Sequence, residues 1–436
     1  MKTTGYNLRS ALSALGITEL NDMQRATSAA LSEPSAELML FSATGSGKTL
    51  AFLLPLLDIA DETLAAVQAL VIAPTRELAG QIARVASSLG TPFKTLCCYG
   101  GHDINIELRS LTEPPQLLIS TPGRLLDLLQ RSLSLSQVRV VVVDEYDKSL
   151  ELGFEQEMSA IFDRLPVGCR KLFTSATESI PMPRLTGVSQ PRRLFFATDD
   201  DKGERLDKEL MRCDNKRESL LRLVCSLKGR PCIVFCNYRE SAERTASYLR
   251  SEGVSSALLH GGMEQHERER SLVKLRGGSA NVLVSTDLAA RGLDIAGLAC
   301  VVHFEPSNTP QELTHRNGRT ARMNAQGRVV VMLGPNETLP YPLDGYIPVA
   351  VPPESAPTPA RNVTVYIGKG RKDKLSKGDI VGFFCAKGGL AKDEIGHIEV
   401  GDHHAFLTIP ADKSHVVGML RGLKIKNMKT KIALSY

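Results

Sequence analysis

A chain of 436 residues has room for two or three domains, and a 42% hydrophobic content allows each a sizeable core. No apolar run approaches the ~18 residues of a membrane span, and Met1-Lys2-Thr3-Thr4-Gly5-Tyr6 opens no apolar signal region. Nine cysteines without a Cys-x-x-Cys pair argue for reduced thiols in a cytoplasmic protein and against a zinc or disulfide framework.

Residues 6–31 read as helical, with Leu8, Leu12, Leu15 and later Ala29, Ala30 and Leu31 at apolar spacing. Apolar Leu38 to Phe41 then feeds Ser42-Ala43-Thr44-Gly45-Ser46-Gly47-Lys48-Thr49, and a helical run from Leu50 to Ile59 follows. Strand, glycine loop, Gly-Lys-Thr and helix form the context of a phosphate-binding loop. The loop amides and the positive helix end can cradle a triphosphate. Lys48 can reach the outer phosphates, and the Thr49 hydroxyl can ligate Mg2+. Ser42 stands where the usual pattern has Gly. Alone, the loop says only that a nucleotide binds; its bland alternative is a Gly-rich turn before a helix.

Alternating units follow. Ala69 to Ala73 reads as a buried strand ending at Pro74-Thr75-Arg76-Glu77-Leu78-Ala79, which starts a helix through Leu89. Thr95 to Tyr99 ends at Gly100-Gly101, and Leu117 to Ser120 at Thr121-Pro122-Gly123-Arg124. Val138 to Val143 ends at Asp144-Glu145-Tyr146-Asp147, and Leu172 to Thr174 at Ser175-Ala176-Thr177. Strands alternating with helices predict a parallel sheet covered on both faces, with the working residues beyond the strands' carboxyl ends. Asp144 and Glu145 then lie beside the phosphate loop. One carboxylate can hold Mg2+ through water, and the other can orient or deprotonate an attacking water.

The charged, apolar-poor stretch Asp199 to Glu209 suits a linker. A second alternating series has strands at Cys232–Asn237, Ala257–Leu259, Val282–Ser285, Cys300–Phe304 and Val329–Leu333. Pro-rich residues 334–360 read as another linker. From Arg361 a unit of order β, α, β, β, α, β follows, the split pattern that RNA-recognition modules also use. Residues 361–436 hold 14 Lys and Arg against 7 Asp and Glu, a net of +7, while the first 360 residues hold 39 against 41. A basic module on a near-neutral body suggests a polyanion partner, although a solvated lysine-rich surface is the commoner meaning of such a bias.

Taken in order over roughly residues 15–333, these motifs resemble the DEAD-box ATP-dependent RNA helicases, with Gln265-His266-Glu267-Arg268, Thr286–Asp294 and His315-Arg316-Asn317-Gly318-Arg319-Thr320-Ala321-Arg322 completing the set. Residues 361–436 resemble the RNA-binding domain of the DbpA subfamily through Lys374–Gly382, Glu394–Ile398 and Leu423–Lys426. The resemblance implies an α/β fold of two tandem RecA-like parallel-sheet domains followed by a small α+β RNA-recognition-motif-like domain. The expected boundaries are 1–198 for the ATP-binding domain, 199–209 for a linker, 210–334 for the second helicase domain, 335–360 for a Pro-rich linker and 361–436 for the RNA-binding domain.

It also implies roles. Gln24 reads the adenine edge; Ala43, Thr44, Gly45, Ser46, Gly47, Lys48 and Thr49 hold phosphates; Asp294 contacts the ribose. Thr49 and, through water, Asp144 hold Mg2+, and Glu145 handles the water. Asp147 ties to Ser175 and Thr177, coupling hydrolysis to strand separation. Arg319 and Arg322 act as arginine fingers. Pro74, Thr75, Arg76, Gly101, Thr121, Arg124, Gln265, Arg268 and Thr286 line the RNA backbone. In the basic module the usual aromatic-rich signature is absent, so the residues themselves point to RNA contact through Lys369, Arg371, Lys372, Lys424, Lys426 and loops. Tyr366 and Phe406 are its candidate base-stacking aromatics. The implied activity is RNA-stimulated, ATP- and Mg2+-dependent unwinding. The implied target is a 23S-type ribosomal RNA hairpin in the pre-ribosomal large subunit, and the implied state is a monomer off the membrane. An ATP-gated RNA clamp with little unwinding is the alternative, and a DNA-directed motor is a further one.

Each motif also has a purely structural reading. Arg76 and Glu77 can be a helix-start pair, Ser175 and Thr177 caps, and the three arginines a solvated helix face. Three departures from the family pattern carry expectations. Tyr146 replaces a small residue and should add bulk beside the metal. Asn317 replaces an apolar one. Ile17 stands where an aromatic stacks on adenine, which predicts looser ATP binding.

Overall fold

The computed structural model describes residues 12–13, 16–42, 45–90, 93–101, 103–175, 186–188, 190–196, 206–287, 295, 297–320 and 326–435. Of the expected site, Ala43, Thr44, Thr177, Asp294 and Arg322 lie outside these residues. The chain divides into two compact units near residue 203.

The first unit runs α1 (Asp22–Leu31), β1 (Glu37–Phe41), α2 (Lys48–Ile59), β2 (Ala69–Ile72), α3 (Arg76–Ser88), β3 (Thr95–Cys98), α4 (Ile104–Ser110), β4 (Leu117–Ser120), α5 (Pro122–Arg131), β5 (Val140–Val143), α6 (Tyr146–Glu151), α7 (Glu155–Phe162), β6 (Arg170–Ser175) and β7 (Arg192–Phe195). The described strands form one sheet in the order β3-β4-β2-β5-β6-β1-β7, with every neighbouring pair parallel. Burial on both faces explains the continuous apolar runs. Val140 and Val142 of β5 join the cluster containing Phe52, Leu53 and Ile82, whereas Val141 and Val143 join the one containing Leu125, Ile161 and Phe173.

The second unit continues with β8 (Leu206–Arg212), α8 (Lys216–Ser226), β9 (Cys232–Cys236), α9 (Arg239–Ser251), β10 (Ser256–Leu259), α10 (Gln265–Arg276), β11 (Val282–Thr286), β12 (Cys300–His303), α11 (Pro310–Asn317), β13 (Gly327–Leu333) and β14 (Ile347–Val349). Its parallel sheet has the order β10-β11-β9-β12-β13-β8-β14. Then come β15 (Asn362–Ile367), α12 (Lys377–Gly388), β16 (Ile398–Val400), β17 (Ala405–Pro410), α13 (Val416–Met419), β18 (Lys424–Ile425), β19 (Met428–Lys429) and β20 (Ile432–Leu434). Here the sheet is antiparallel, β16-β17-β15-β20, and β18 and β19 make a separate hairpin. Lys426 and Asn427 at its tip have φ of +50° and +63°, the pair of left-handed residues that a tight two-residue hairpin turn requires.

Several expectations need correction. The first helix does not fill residues 6–31: α1 starts at Asp22, where Asn21 and Gln24 form a reciprocal capping box. The charged linker expected to reach residue 209 gives way to β8 at Leu206. Charge hid that strand because Glu209 is paired across the sheet with Arg328 at 2.7 Å rather than solvated. The Pro-rich linker contains β14, which pairs with β8. The final strand of the split pattern is broken in two, β19 and β20.

Tyr146 also departs from expectation. It opens α6 but turns into the core, fully buried, with its ring edge-on to Phe173 at 5.1 Å. Among the described residues its Oη is buried without a hydrogen-bond partner. The added bulk therefore packs into the core on one face of the sheet. Tyr146→Ala should cost about 3–5 kcal/mol by opening a cavity. Tyr146→Phe, which removes an unpaired buried hydroxyl, should be neutral or stabilising by up to about 1 kcal/mol. Urea unfolding of both variants checks this, and unchanged stability in Tyr146→Ala would place the ring elsewhere.

Candidate nucleotide site and nucleic-acid interface

The capping box does more than start α1. Gln24 N–H donates to Asn21 Oδ1 at 2.8 Å, and Asn21 N–H donates to Gln24 Oε1 at 3.0 Å. Both side-chain amides then reach the phosphate loop. Asn21 Nδ2 donates to the Ser46 carbonyl at 3.1 Å and Gln24 Nε2 to the Gly47 carbonyl at 3.4 Å. Gly47 has φ +94°, and a Cβ there would sit 2.6 Å from Gln24 Nε2, so position 47 needs glycine for two independent reasons. Ser42, where the usual pattern has Gly, is fully buried and bonds its hydroxyl to that of Ser46. The departure thus ties the two sides of the loop together. Lys48 opens α2 and donates from Nζ to the Ser42 carbonyl at 2.5 Å. Thr49 follows in the first turn of α2, on the same loop-facing end.

Asp144 ends β5 and is almost wholly buried. The Thr174 hydroxyl donates to its Oδ1 at 2.5 Å, and the Glu145 N–H lies 3.2 Å from the same oxygen. Burial, followed by the neighbouring Glu145 carboxylate, pushes the Asp144 carboxyl up to about 6, against the pull of Lys48. Lys48 offsets this only in part, so the carboxylate is short of positive charge. A divalent cation shared with the Thr49 hydroxyl and phosphate oxygens would supply it. Among the described residues no cluster of three or more His, Cys, Asp or Glu could hold an ion unaided. Glu145 has φ +46° and ψ 54°, a left-handed conformation that strains a residue with a side chain. Asp147, one turn on, is also buried, and burial pushes its carboxyl up to about 6. Ser175, its expected partner, is buried at the end of β6.

The other loops gather at the same carboxyl edge. Thr75 caps α3 by accepting from Leu78 N–H at 3.3 Å. The Arg76 guanidinium lies against the Gly100-Gly101 turn, where a Cβ on Gly101, itself at φ +101°, would approach Arg76 Nη1 to 2.2 Å. The glycine pair makes room for this arginine. Thr121 stands at the N-cap position of α5, and Arg124 is buried in an ion pair with Glu107, Nε to Oε2 at 3.3 Å. Glu107 also accepts from Tyr99 N–H at 3.2 Å. Glu107 was not anticipated, since a glutamate in an amphipathic helix gives no sign that it faces inward.

In the second unit, Gln265 begins α10, Arg268 is buried in it, and Thr286 ends β11. Arg316 is not on a solvated helix face. It is 1% exposed, clamped by Asp287 at 2.7 and 2.5 Å, bonded to the Glu305 carbonyl at 2.6 Å and Asn237 Oδ1 at 2.8 Å, and stacked over Phe235. Arg319 is buried and donates from Nε to the His315 carbonyl at 3.2 Å. His303, buried at the end of β12, meets Asn317 Oδ1 through Nε2 at 2.9 Å. Burial, and then the positive Arg316, drives its imidazole down to about 3, so it is neutral.

The basic module gives a mixed answer. Lys424 is exposed, but Lys426 Nζ is engaged by the Lys374 carbonyl at 3.1 Å and Asp379 at 3.2 Å. Tyr366 and Phe406 share one sheet face, 5.7 Å apart, and Phe406 is only 3% exposed. That face packs on the end of α10. Asn362 Nδ2 donates to the Gly277 carbonyl at 2.8 Å, Thr364 meets Ser279 at 2.5 Å, and His404 meets Glu269 at 3.1 Å. Phe406 is therefore not presented to a base in this structure.

A phosphate loop beside a buried aspartate followed by glutamate, with a second parallel sheet carrying an arginine-ended helix, is the architecture of a helicase-type ATPase. Residues 21–183 match the DEAD/DEAH box helicase family, residues 215–324 the helicase conserved C-terminal domain, and residues 364–434 the DbpA RNA binding domain. The chain is 34% identical over 456 aligned residues to the ATP-dependent RNA helicase DbpA of Escherichia coli strain K12, covering 99% of each. It is 37% identical to DEAD-box ATP-dependent RNA helicase 9 of Oryza sativa subsp. japonica, across 74% of this chain and 53% of that protein. Among solved structures it is similar to S. cerevisiae Dbp5 bound to RNA and ADP BeF3, with TM-score 0.64 and 25% identity over 75% of this chain and 87% of that one. The chain belongs to the DEAD-box ATP-dependent RNA helicases and carries a DbpA-type RNA-binding domain.

The buried imidazole makes stability pH-dependent. His303 has its folded pKa depressed below the ordinary 6.5, so its contribution is present above pH 6.5 and is lost as pH falls towards 3. Between pH 6.5 and 5 this should remove on the order of 2 kcal/mol. His303→Gln should flatten that part of the stability–pH slope in denaturant titrations, and an unchanged slope would mean the ring is not buried neutral.

Proposed function

We propose that this RNA helicase acts on large-subunit ribosomal RNA during ribosome assembly. Its basic module holds a 23S-type hairpin while the two helicase sheets work on a nearby duplex. The observation that carries this reading is the DbpA-type domain at residues 364–434, in the stretch that holds the chain's whole positive excess. With its sheet face seated on α10, the module offers RNA the lysine-bearing hairpin β18–β19 and the loop holding Arg371 and Lys372. We read the protein as a monomer in the cytoplasm, fuelled by ATP with Mg2+. Nine unpaired thiols suit a reducing compartment, and among the described residues no helix is long and apolar enough to cross a membrane.

In this reading Lys48 and Thr49 hold the phosphates and the ion, Asp144 holds the ion through water, and Glu145 orients the attacking water. Gln24 meets the adenine, with Ile17 giving a looser stacking surface than an aromatic. Arg319 and Arg322 bring positive charge to the transferring phosphoryl group, where a preorganised cation is most effective. Backbone-directed contacts from Arg76, Arg124, Gln265, Arg268 and the loop threonines make the core indifferent to sequence, so the basic module chooses the target. The grounds for a clamp that does not unwind are weak. Tyr146 turns into the core, and Asn317 has partners of its own.

Lys48→Ala and Glu145→Gln should each lower RNA-stimulated ATPase by about 100-fold or more. Lys424→Glu should remove the preference for a 23S hairpin fragment over an unrelated duplex while leaving ATPase at saturating RNA near wild type. Full ATPase in either of the first two variants would sink the site assignment. An unchanged hairpin preference in the third would sink the targeting surface.

A further inference from the structure

The residues between the second helicase sheet and the basic module read from sequence as a spacer. In the structure they are docked. Strand β14 pairs with β8, Ile347 opposite Glu209, which fixes the place of the preceding residue, Tyr346. The Tyr346 hydroxyl accepts a hydrogen bond from Asn317 Nδ2 at 3.0 Å. Because that amide nitrogen is committed to Tyr346, the amide oxygen faces His303, whose Nε2 lies 2.9 Å away and carries the proton. A few residues earlier, Tyr341 donates to the Ser307 carbonyl at 2.9 Å, anchoring the segment beside the start of α11.

Asn317 is the last residue of α11. It follows Arg316, which Asp287 locks in place, and precedes Arg319 by two residues. Its position is one where the family pattern has an apolar residue. Here a polar side chain is held from below by a buried imidazole and from above by a tyrosine of the supposed spacer. An asparagine at a helix end gains nothing from facing an apolar strand end. These three residues make sense only together, each supplying what the next requires.

We propose that the segment is a working part of the ATPase: Tyr346, through Asn317, is a positioning residue that holds the arginine-bearing end of α11 in place. This rests on the reading that Arg319 acts at the triphosphate. Catalytic groups need placement to within about half an ångström, and a displacement of about 1 Å far from the chemistry can cost 100-fold. A single hydrogen bond at a helix end commands part of that range.

The test is steady-state ATPase of the full chain with poly(A) RNA, over both ATP and RNA concentration. Tyr346→Phe should lower kcat by about three- to tenfold with KM for ATP and for RNA held within about twofold, because positioning acts on the transition state and not on binding. Asn317→Leu should show a loss of similar size. The double variant Asn317→Leu/Tyr346→Phe should be no worse than Asn317→Leu alone, since the hydroxyl has nothing left to hold. A kcat in Tyr346→Phe within about twofold of wild type, losses that multiply in the double variant, or a loss that appears in KM instead of kcat would each overturn the proposal. Arg319→Ala separates the two levels. If it abolishes ATPase while Tyr346→Phe is silent, only the brace fails; if it leaves ATPase intact, the role given to Arg319 fails first.

Discussion

A parallel sheet covered on both faces leaves only its ends for chemistry, and everything functional here follows from that constraint. Val140 to Val143 are buried on both sides, so nothing along β5 can touch a ligand until Asp144. The same holds for Leu117 to Ser120 before Thr121 and for Val282 to Ser285 before Thr286. Strand length therefore sets where each polar group emerges, and within each sheet the parallel register brings those points to one edge. The glycines serve the same geometry. Gly47 and Gly101 sit where Gln24 and Arg76 come too close for any Cβ, so backbone and side chain share space that a larger residue would close.

Charge buried at these edges is costly unless it is paired, and the molecule pairs it unequally. Arg316 is fully compensated by Asp287, Asn237 and the Glu305 carbonyl, which makes it a structural pin rather than a reagent. Arg124 has Glu107. Asp144 has one hydroxyl and a backbone amide on a single oxygen, and its raised proton affinity records the shortfall. That contrast separates the two kinds of buried charge. The compensated ones hold loops in place, whereas Asp144 and Asp147 are buried carboxyls whose proton affinity is raised.

The carboxyl-terminal third shows how context reassigns surfaces. The module's sheet carries Tyr366 and Phe406, the aromatics that base stacking would use, yet that sheet is seated on the end of α10. A Cβ on Gly277 would come within 2.2 Å of Thr408, so the fit depends on a bare backbone at the contact. With the sheet covered, the hairpin keeps exposed positive charge at Lys424. The segment leading into the module is equally engaged, through β14, Tyr341 and Tyr346.

From residue order alone one could read two α/β sheets and a split α+β module, the phosphate loop, the Asp-Glu pair and the arginine helix, because apolar periodicity and glycine spacing are local properties. Strand β8 escaped because Glu209 and Arg328 cancel each other across the sheet, a pairing between residues 119 apart that makes a strand look like a linker. Glu107 and Thr174 escaped for the same reason: each acts on a partner distant in sequence. Tyr146 and Asn317 were visible as oddities, but only packing decided that one faces the core and the other bridges His303 to Tyr346. Sequence determined which groups the chain owns and at which strand ends they emerge. Tertiary structure decided which of them are neutralised and which remain available, because desolvation and pairing depend on neighbours that only folding brings together.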